Sequence, residues 1–172
     1  LVKLYILQGI DFASRDIGSF SDPYLKITCG DNVFNERENY QLNNSSPWIN
    51  KLFKFNASFP GAASLMIEAF DYDDLFGDDL IGKTYIDLDD RFFNPHWQKL
   101  EEKPIEHRQI FHHSSALSQG MISMWLEIDQ LTKSINPRKE WALDTEPTRD
   151  YQVRVCVFDT KDIPTADVEG TS

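Results

Sequence analysis

Short stretches in which every second residue is apolar recur along this chain, and a period of two is typical of β-strands with one face in a core. Turn residues such as Gly, Pro, Asn and Asp separate the stretches. We therefore predict an all-β antiparallel sandwich. Its eight or so strands are centred on Val2/Leu4/Ile6, Leu25/Ile27/Cys29, Asn32–Arg37, Leu52/Phe53/Phe55, Leu65/Ile67/Phe70, Tyr85/Ile86/Leu88, Arg108–Phe111 and Met121–Ile128.

Helix is expected only between two of these strands. Residues 87–93 form a short helical candidate that ends before Asn94-Pro95, because the residue before a proline disfavours helical backbone. After Ile128 the alternation stops, and Asn136-Pro137 and Glu146-Pro147 are typical of a linker. The pattern predicts one complete domain over residues 1–129 and a linker over 130–150.

An internal repeat follows the predicted linker. The segment Val153–Phe158 parallels Val2–Leu7, and Asp167–Ser172 matches Asp16–Ser21 at the same offset. Such an offset indicates a tandem array, so residues 151–172 are predicted to be the first strand and the start of the first loop of a second, truncated domain. A lone strand cannot bury its apolar face. We therefore expect Gln152–Phe158 to dock on the edge or face of the complete domain, on a neighbouring chain by strand addition, or on the rest of the next domain. Val153, Val155 and Val157 should then be largely buried.

Composition excludes several functions. The chain is 41% apolar and 13% aromatic, as in a folded soluble protein, and its net charge of −11 argues against binding nucleic acid or binding an anionic membrane constitutively. No stretch approaches the ~18 apolar residues of a membrane span, and no secretory-type signal opens the chain. Two distant cysteines, Cys29 and Cys156, favour a reducing, cytoplasmic compartment.

Five aspartates form two clusters, each directly after a predicted strand. Asp16 and Asp22 follow the first strand, whereas Asp71, Asp73 and Asp79 follow the strand at Leu65–Phe70. If the two loops meet, their carboxylates supply the hard oxygens of a calcium site, which takes about 6–8 of them. The alternative for each aspartate is a turn cap, in which its carboxylate accepts a bond from a backbone amide.

Apolar residues lie between these acids at the tips of both loops. Ile17 and Phe20 occupy one loop, and Leu75 and Phe76 occupy the other. Burying one such side chain yields about 1.5–3 kcal/mol, so these four could hold the domain at a bilayer interface after a cation has neutralised the acids. The alternative for Phe20 is packing inward against its own loop.

The chain resembles a C2 domain over nearly all of residues 1–129. The resemblance is carried by the Asp16–Tyr24 run, Ser46-Pro47-Trp48-Ile49-Asn50, Asp71-Tyr72-Asp73 and Ile81-Gly82. An aspartate loop after the first strand and a closing strand at Gly120–Ile128 resemble the circularly permuted, type II topology, an eight-stranded Greek-key sandwich. The closing strand, the Asn39-Tyr40 segment, the Ile86–Phe93 crossover and the following linker resemble those of ferlins, large proteins with many tandem C2 domains.

This resemblance implies Ca²⁺ as the cofactor. The implied ligands are the side chains of Asp16, Asp22, Asp71, Asp73 and Asp79, with the carbonyls of Ile17 and Tyr72. Phe76 stands where relatives place a side-chain oxygen, so one or two ions are expected rather than three.

The implied partners are an anionic phospholipid membrane containing phosphatidylserine, neighbouring C2 domains and membrane-fusion proteins, with no nucleic acid. The resemblance implies a parent protein on the cytoplasmic side of a vesicle or the plasma membrane. A C-terminal transmembrane helix outside this chain would anchor it, and it would act in vesicle fusion, exocytosis or membrane repair.

Two other functions stay open. One is a calcium-insensitive scaffold for protein–protein interaction within the array, and the other is a regulatory module of a lipid-modifying enzyme. The chain has no nucleophile elbow, phosphate-binding glycine loop or metal-hydrolase helix, so we predict that it is not itself an enzyme. The lysine-rich strand with which many related domains bind phosphoinositides is replaced by the mixed stretch Glu36–Gln41.

Overall fold

A computed structural model describes residues 1–15, 18–74, 77–131, 138–143, 152, 154–159 and 161. Eight strands lie within residues 1–129, which confirms the predicted all-β fold. They are β1 (Val2–Ile10), β2 (Pro23–Cys29), β3 (Asn32–Asn35), β4 (Trp48–Phe55), β5 (Leu65–Asp71), β6 (Asp79–Ile86), β7 (Glu106–Phe111) and β8 (Ser118–Ile128).

The strands pair antiparallel in the order β3-β2-β5-β6-β7-β8-β1-β4. Strands β6 and β7 share a single residue pair, Lys83 opposite Phe111, so the sheet folds there into two four-stranded layers. The first and last strands are neighbours, with Val2 opposite Ile128. Apolar side chains from both layers, among them Leu4, Ile67 and Ile122, fill the space between them. The antiparallel sandwich predicted from the alternation is confirmed.

Three short helical segments lie between strands. The predicted helix is α1 (Leu88–Phe93), capped by Asp87, whose Oδ1 accepts the Asp90 amide at 3.0 Å. Leu88 therefore belongs to this helix, and its assignment to the strand around Tyr85 was wrong. The predicted strand Asn32–Arg37 ends at Asn35, and Arg37–Asn39 form one turn of 3₁₀-helix, η1. A further helix, α2 (Pro95–Lys99), was not predicted. No helix in the described ranges is long and apolar enough to span a membrane.

The outer face of β1 is covered by residues 138–143, which fall in the predicted linker. Lys3 Nζ donates to the Arg138 carbonyl at 2.5 Å, and the Tyr5 hydroxyl accepts the Trp141 amide at 3.3 Å. The Trp141 indole also donates to Glu127 Oε1 at 2.9 Å. As a result Lys3 and Tyr5 are almost completely buried, although the alternation of β1 points them away from the core.

The described tail residues do not dock on the complete domain. Val155 and Val157 are 79% and 72% exposed, and the described residues between 152 and 161 contain no strand. Val153 lies outside the described residues. The expectation that these valines are buried was wrong at Val155 and Val157, because no described strand pairs with this segment. The assignment of 151–172 to a second domain stays a prediction.

Candidate functional site

Four loops meet at one end of the sandwich, which we call the acidic end. They are the β1–β2 loop (11–22), the β3–β4 connection (36–47), the β5–β6 loop (72–78) and the β7–β8 loop (112–117). Backbone hydrogen bonds connect the first three loops: the Asn44 amide donates to the Ser21 carbonyl and the Tyr72 amide to the Asp22 carbonyl, each at 3.0 Å. The Ala13 amide donates at 3.0 Å to the carbonyl of Gln119, at the start of β8. Asp22 of the first predicted cluster therefore lies beside Asp71 of the second.

Three of the five predicted carboxylates lie on adjacent strand ends. The Asp22 amide donates to Asp71 Oδ1 at 2.6 Å. In the sheet Asp71 lies opposite Pro23 of β2 and opposite Asp79 of β6. Asp71 is 4% exposed, so its carboxylate is among the most buried in the domain. Asp71 ends β5 and Asp79 begins β6, whereas Asp22 is the loop residue that directly precedes β2.

Two of these aspartates also accept hydrogen bonds from backbone amides of distant segments. Asp22 Oδ1 accepts the Asn43 amide at 2.7 Å, and Asp71 Oδ1 accepts the Asp22 amide. Asn43 has a positive φ of 48°, and its own Oδ1 accepts the Phe20 amide at 2.8 Å. Both carboxylates thus bond backbone amides, as the capping alternative expects, but between separate segments and not within one turn. Such bonding is compatible with metal binding because a carboxylate has two oxygens and about four acceptor sites.

Tyr72 and Asp73 lie on the β5–β6 loop. The Asp73 amide donates to Asp78 Oδ1 at 3.1 Å, and the Asp73 carbonyl accepts from the Arg37 guanidinium at 3.2 Å. The Tyr72 ring stacks on Tyr40 with a centroid distance of 4.0 Å, and its hydroxyl donates to Asp74. The loop that carries these two predicted ligands therefore contacts the β3–β4 connection directly.

Asp78 has a structural role that the sequence analysis did not predict. Its carboxylate accepts two bonds from Arg37, one from the Tyr24 hydroxyl at 2.7 Å and one from the Asp73 amide. These donors, Arg37 above all, lower the pKa of Asp78 to about 2. Burial and the bond to Asp78 raise the pKa of Tyr24. No local signal could reveal this arrangement, because Arg37 and Asp78 are 41 positions apart.

Asp16, Ile17, Leu75 and Phe76 lie outside the described residues. Among the residues that are described, no three His, Cys, Asp or Glu side chains are grouped closely enough to hold a metal ion. The donors at the acidic end are carboxylates and carbonyls, which suit calcium far better than zinc. The set of seven ligand residues stays a prediction. It is supported by the type of oxygen donors at the acidic end and not by an assembled metal site.

Among the described residues, exposed apolar side chains are found on the β1–β2 loop, the β3–β4 connection and the β7–β8 loop. Phe20 is 55% exposed, so the alternative in which it packs inward was wrong. Leu42 in the β3–β4 connection and Leu117 in the β7–β8 loop are 72% and 76% exposed. Sequence reasoning missed these two leucines because each is a single apolar residue in a polar loop, where no periodicity marks it.

Comparison with known proteins agrees with this geometry. The family described as "C2 domain" matches residues 1–105. Myoferlin of Xenopus tropicalis is 35% identical over 94 residues, which are 55% of this chain and 5% of myoferlin. Ferlin 2 of Toxoplasma gondii is 24% identical over 173 aligned positions, covering 94% of this chain and 12% of that protein. The resemblance to ferlin C2 domains is confirmed, and the chain spans only a small part of either relative.

Among solved structures, the calcium-bound pair of C2 domains of Extended-Synaptotagmin 2 superposes with a TM-score of 0.58 and 24% identity. The match covers 73% of this chain and 44% of that one. This likeness shows the fold alone. Both the family and the ferlin relatives indicate a non-enzymatic module.

Proposed function

Since this chain belongs to the C2 domain family, we propose that its acidic end is a calcium-dependent phospholipid-binding surface. The proposed ligands are the carboxylates of Asp16, Asp22, Asp71, Asp73 and Asp79, together with the carbonyls of Ile17 and Tyr72. Calcium would supply positive charge among these acids. The proposed target is an anionic membrane that contains phosphatidylserine.

The main support for this proposal is the proximity of Asp22, Asp71 and Asp79. The Asp22 amide donates to Asp71 Oδ1 at 2.6 Å, and Asp71 is paired with Asp79 on the neighbouring strand β6. Acids from separate loops are thus brought together instead of being spread over the surface. Two carboxylates about 4 Å apart repel by about 1 kcal/mol in water and about 4 kcal/mol at an effective dielectric of about 20, and a cation that binds between them removes this cost.

The membrane step follows from charge and exposure. An acidic surface without calcium is repelled by anionic lipids, whereas each bound ion changes the local charge by two. The exposed side chain of Phe20 can then enter the interfacial region, as we propose for Ile17, Leu75 and Phe76 and for the leucines of the neighbouring loops. Each apolar side chain that becomes fully buried contributes about 1.5–3 kcal/mol.

Beyond the domain, the ferlin relatives support further proposals. The chain would be one module of a multi-C2 protein, with neighbouring C2 domains and membrane-fusion proteins as partners. We place it on the cytoplasmic side of a vesicle or the plasma membrane, in a parent protein anchored by a C-terminal transmembrane helix. The process would be vesicle fusion, exocytosis or membrane repair.

A calcium-insensitive scaffold is the second candidate. It is favoured by the capping bonds of Asp22 and Asp71, which give both carboxylates a role without metal. In that case the acidic end would be rigid by hydrogen bonding alone, and calcium would change neither its stability nor its membrane affinity.

Co-sedimentation with vesicles of phosphatidylcholine and phosphatidylserine tests the proposed function. We expect the chain to sediment in calcium and to stay in the supernatant in chelator. Phe20→Ala should weaken vesicle capture about tenfold, because the binding free energy loses about 1.4 kcal/mol when the apolar ring is no longer buried in the bilayer. The matched control is Phe93→Ala in α1, since Phe93 is similarly exposed, at 51%, but lies at the opposite end of the sandwich.

Equal capture in calcium and in chelator would contradict calcium dependence and support the scaffold. Calcium-dependent capture that Phe20→Ala leaves unchanged would show that this loop tip stays outside the bilayer.

A further inference from the structure

Arg37 connects two loops at the acidic end. It lies in η1, within the β3–β4 connection, and its guanidinium reaches Asp78 at the end of the β5–β6 loop. Arg37 Nε donates to Asp78 Oδ2 at 2.7 Å, and Nη2 donates to Asp78 Oδ1 at 3.0 Å. Two bonds from one guanidinium to one carboxylate fix the relative orientation of both groups, which a single bond does not.

The backbone of Asp73 depends on this ion pair from both sides. Its amide donates to Asp78 Oδ1 at 3.1 Å, and its carbonyl accepts from Arg37 Nη2 at 3.2 Å. Arg37 therefore holds Asp73 directly through the carbonyl and indirectly through Asp78. These two contacts hold the backbone from which the Asp73 side chain projects.

The residue before Asp73 is held by the same group. The guanidinium carbon of Arg37 lies 4.3 Å from the centroid of the Tyr72 ring, and Tyr40 stacks on that ring as well. Tyr24 of β2 holds Asp78 from a third direction. Contacts of Arg37, Asp78 and Tyr72 thus connect the described part of the β5–β6 loop to η1 and β2.

We propose that Arg37 positions a calcium ligand. Arg37 acts through Asp78 and the Asp73 backbone and does not contact the ion itself. This inference rests on the proposed function, because it takes Asp73 as a ligand. A loop that is already ordered spends less binding free energy on ordering. Residues that orient metal ligands typically change metal affinity by about 10–100-fold when they are replaced.

A purely electrostatic role would have the opposite sign. A positive guanidinium near a bound divalent cation repels it, so removal of Arg37 would then strengthen calcium binding. The positioning role predicts weaker binding after the same substitution. The direction of the change in affinity therefore decides between the two roles.

The experiment is a calcium titration by calorimetry of the wild type, Arg37→Gln, Arg37→Lys and Asp78→Asn. We expect each variant to bind calcium at least about tenfold more weakly. Lysine should not restore affinity, since it keeps the charge but lacks the planar fork. The matched control is Arg91→Gln, which removes a similar ion pair, Arg91 to Glu106 at 2.8 Å, from the opposite end of the domain. This control should bind like the wild type.

A second measurement needs no calcium. In chelator, hydrogen exchange at the Asp73 amide should be faster in Arg37→Gln and Arg37→Lys than in the wild type, while all three unfold in one cooperative transition. If the wild type binds calcium and the variants bind it equally well or more tightly, the proposed role of Arg37 is overturned. The proposed function then remains intact. A wild type that binds no calcium would overturn both.

Discussion

Replacing Lys3 by alanine should lower the free energy of unfolding by about 3–5 kcal/mol. Lys3 is 1% exposed, and its ammonium lies 2.8 Å from Asp129 Oδ2 and 3.9 Å from Glu127 Oε2. Both carboxylates are buried, so the substitution removes the ammonium that lies between two negative charges in a dry region. A loss of this size is a large part of the about 5–15 kcal/mol by which most domains are stable. Urea denaturation followed by far-ultraviolet circular dichroism measures it.

Lys54 provides a matched control. It lies directly opposite Lys3 in the β1–β4 pairing, yet its side chain is 46% exposed and pairs with Glu140, which is 48% exposed. Exposed ion pairs contribute about 0–1 kcal/mol, so Lys54→Ala should change stability by no more than that. Equal losses in the two variants would contradict the distinction between a buried and an exposed pair. Equal losses of stability would also mean that residues 138–143 do not cover Lys3 in solution.

Calcium should stabilise the wild type by about 2.7 kcal/mol when its concentration is about a hundred times the dissociation constant, because the ion binds only the folded chain. Asp71→Asn should remove most of this stabilisation. The substitution keeps an oxygen that can accept the Asp22 amide, so the fold should persist. In chelator the variant should melt at the same temperature as the wild type or higher, since repulsion among the acids is reduced.

Asp31→Asn is the control for this thermal measurement. Asp31 lies in the turn between β2 and β3, at the opposite end of β2 from Asp22. This variant should keep the full calcium shift. A wild-type melting curve that is unchanged across millimolar calcium, or an Asp71→Asn variant that retains the shift, would contradict the proposed ligand role of Asp71.

The sandwich could be predicted because a period of two is a local property. Leu4 and Ile6 alternate with polar or amphipathic neighbours, and turn residues mark where each strand ends. The burial of Lys3 could not be predicted, because it depends on residues 138–143, which are distant in sequence. The helix α2 had a local signal: Asn94 caps it and Pro95 occupies its first turn. We interpreted that pair only as the end of the preceding helix.

The acidic residues of the candidate site could be predicted from the sequence, but the residues that hold its loops in place could not. Asp22, Asp71 and Asp79 lie at strand ends, so their proximity follows from the topology. The Arg37–Asp78 pair could not be found from the sequence, since a charge pair between distant loops has no spacing rule. The failed docking of Val155 and Val157 has a similar origin, because an apolar alternation indicates a strand but does not identify its partner.

If the acidic end binds calcium and thereby binds anionic lipid, both steps can be measured together. The measurement is a calorimetric titration of calcium into the chain, with and without phosphatidylserine vesicles. We predict saturable binding of one or two ions in solution, a higher apparent calcium affinity when vesicles are present, and the loss of both in Asp71→Asn. The absence of saturable heat up to millimolar calcium, with or without vesicles, would contradict calcium binding at the acidic end.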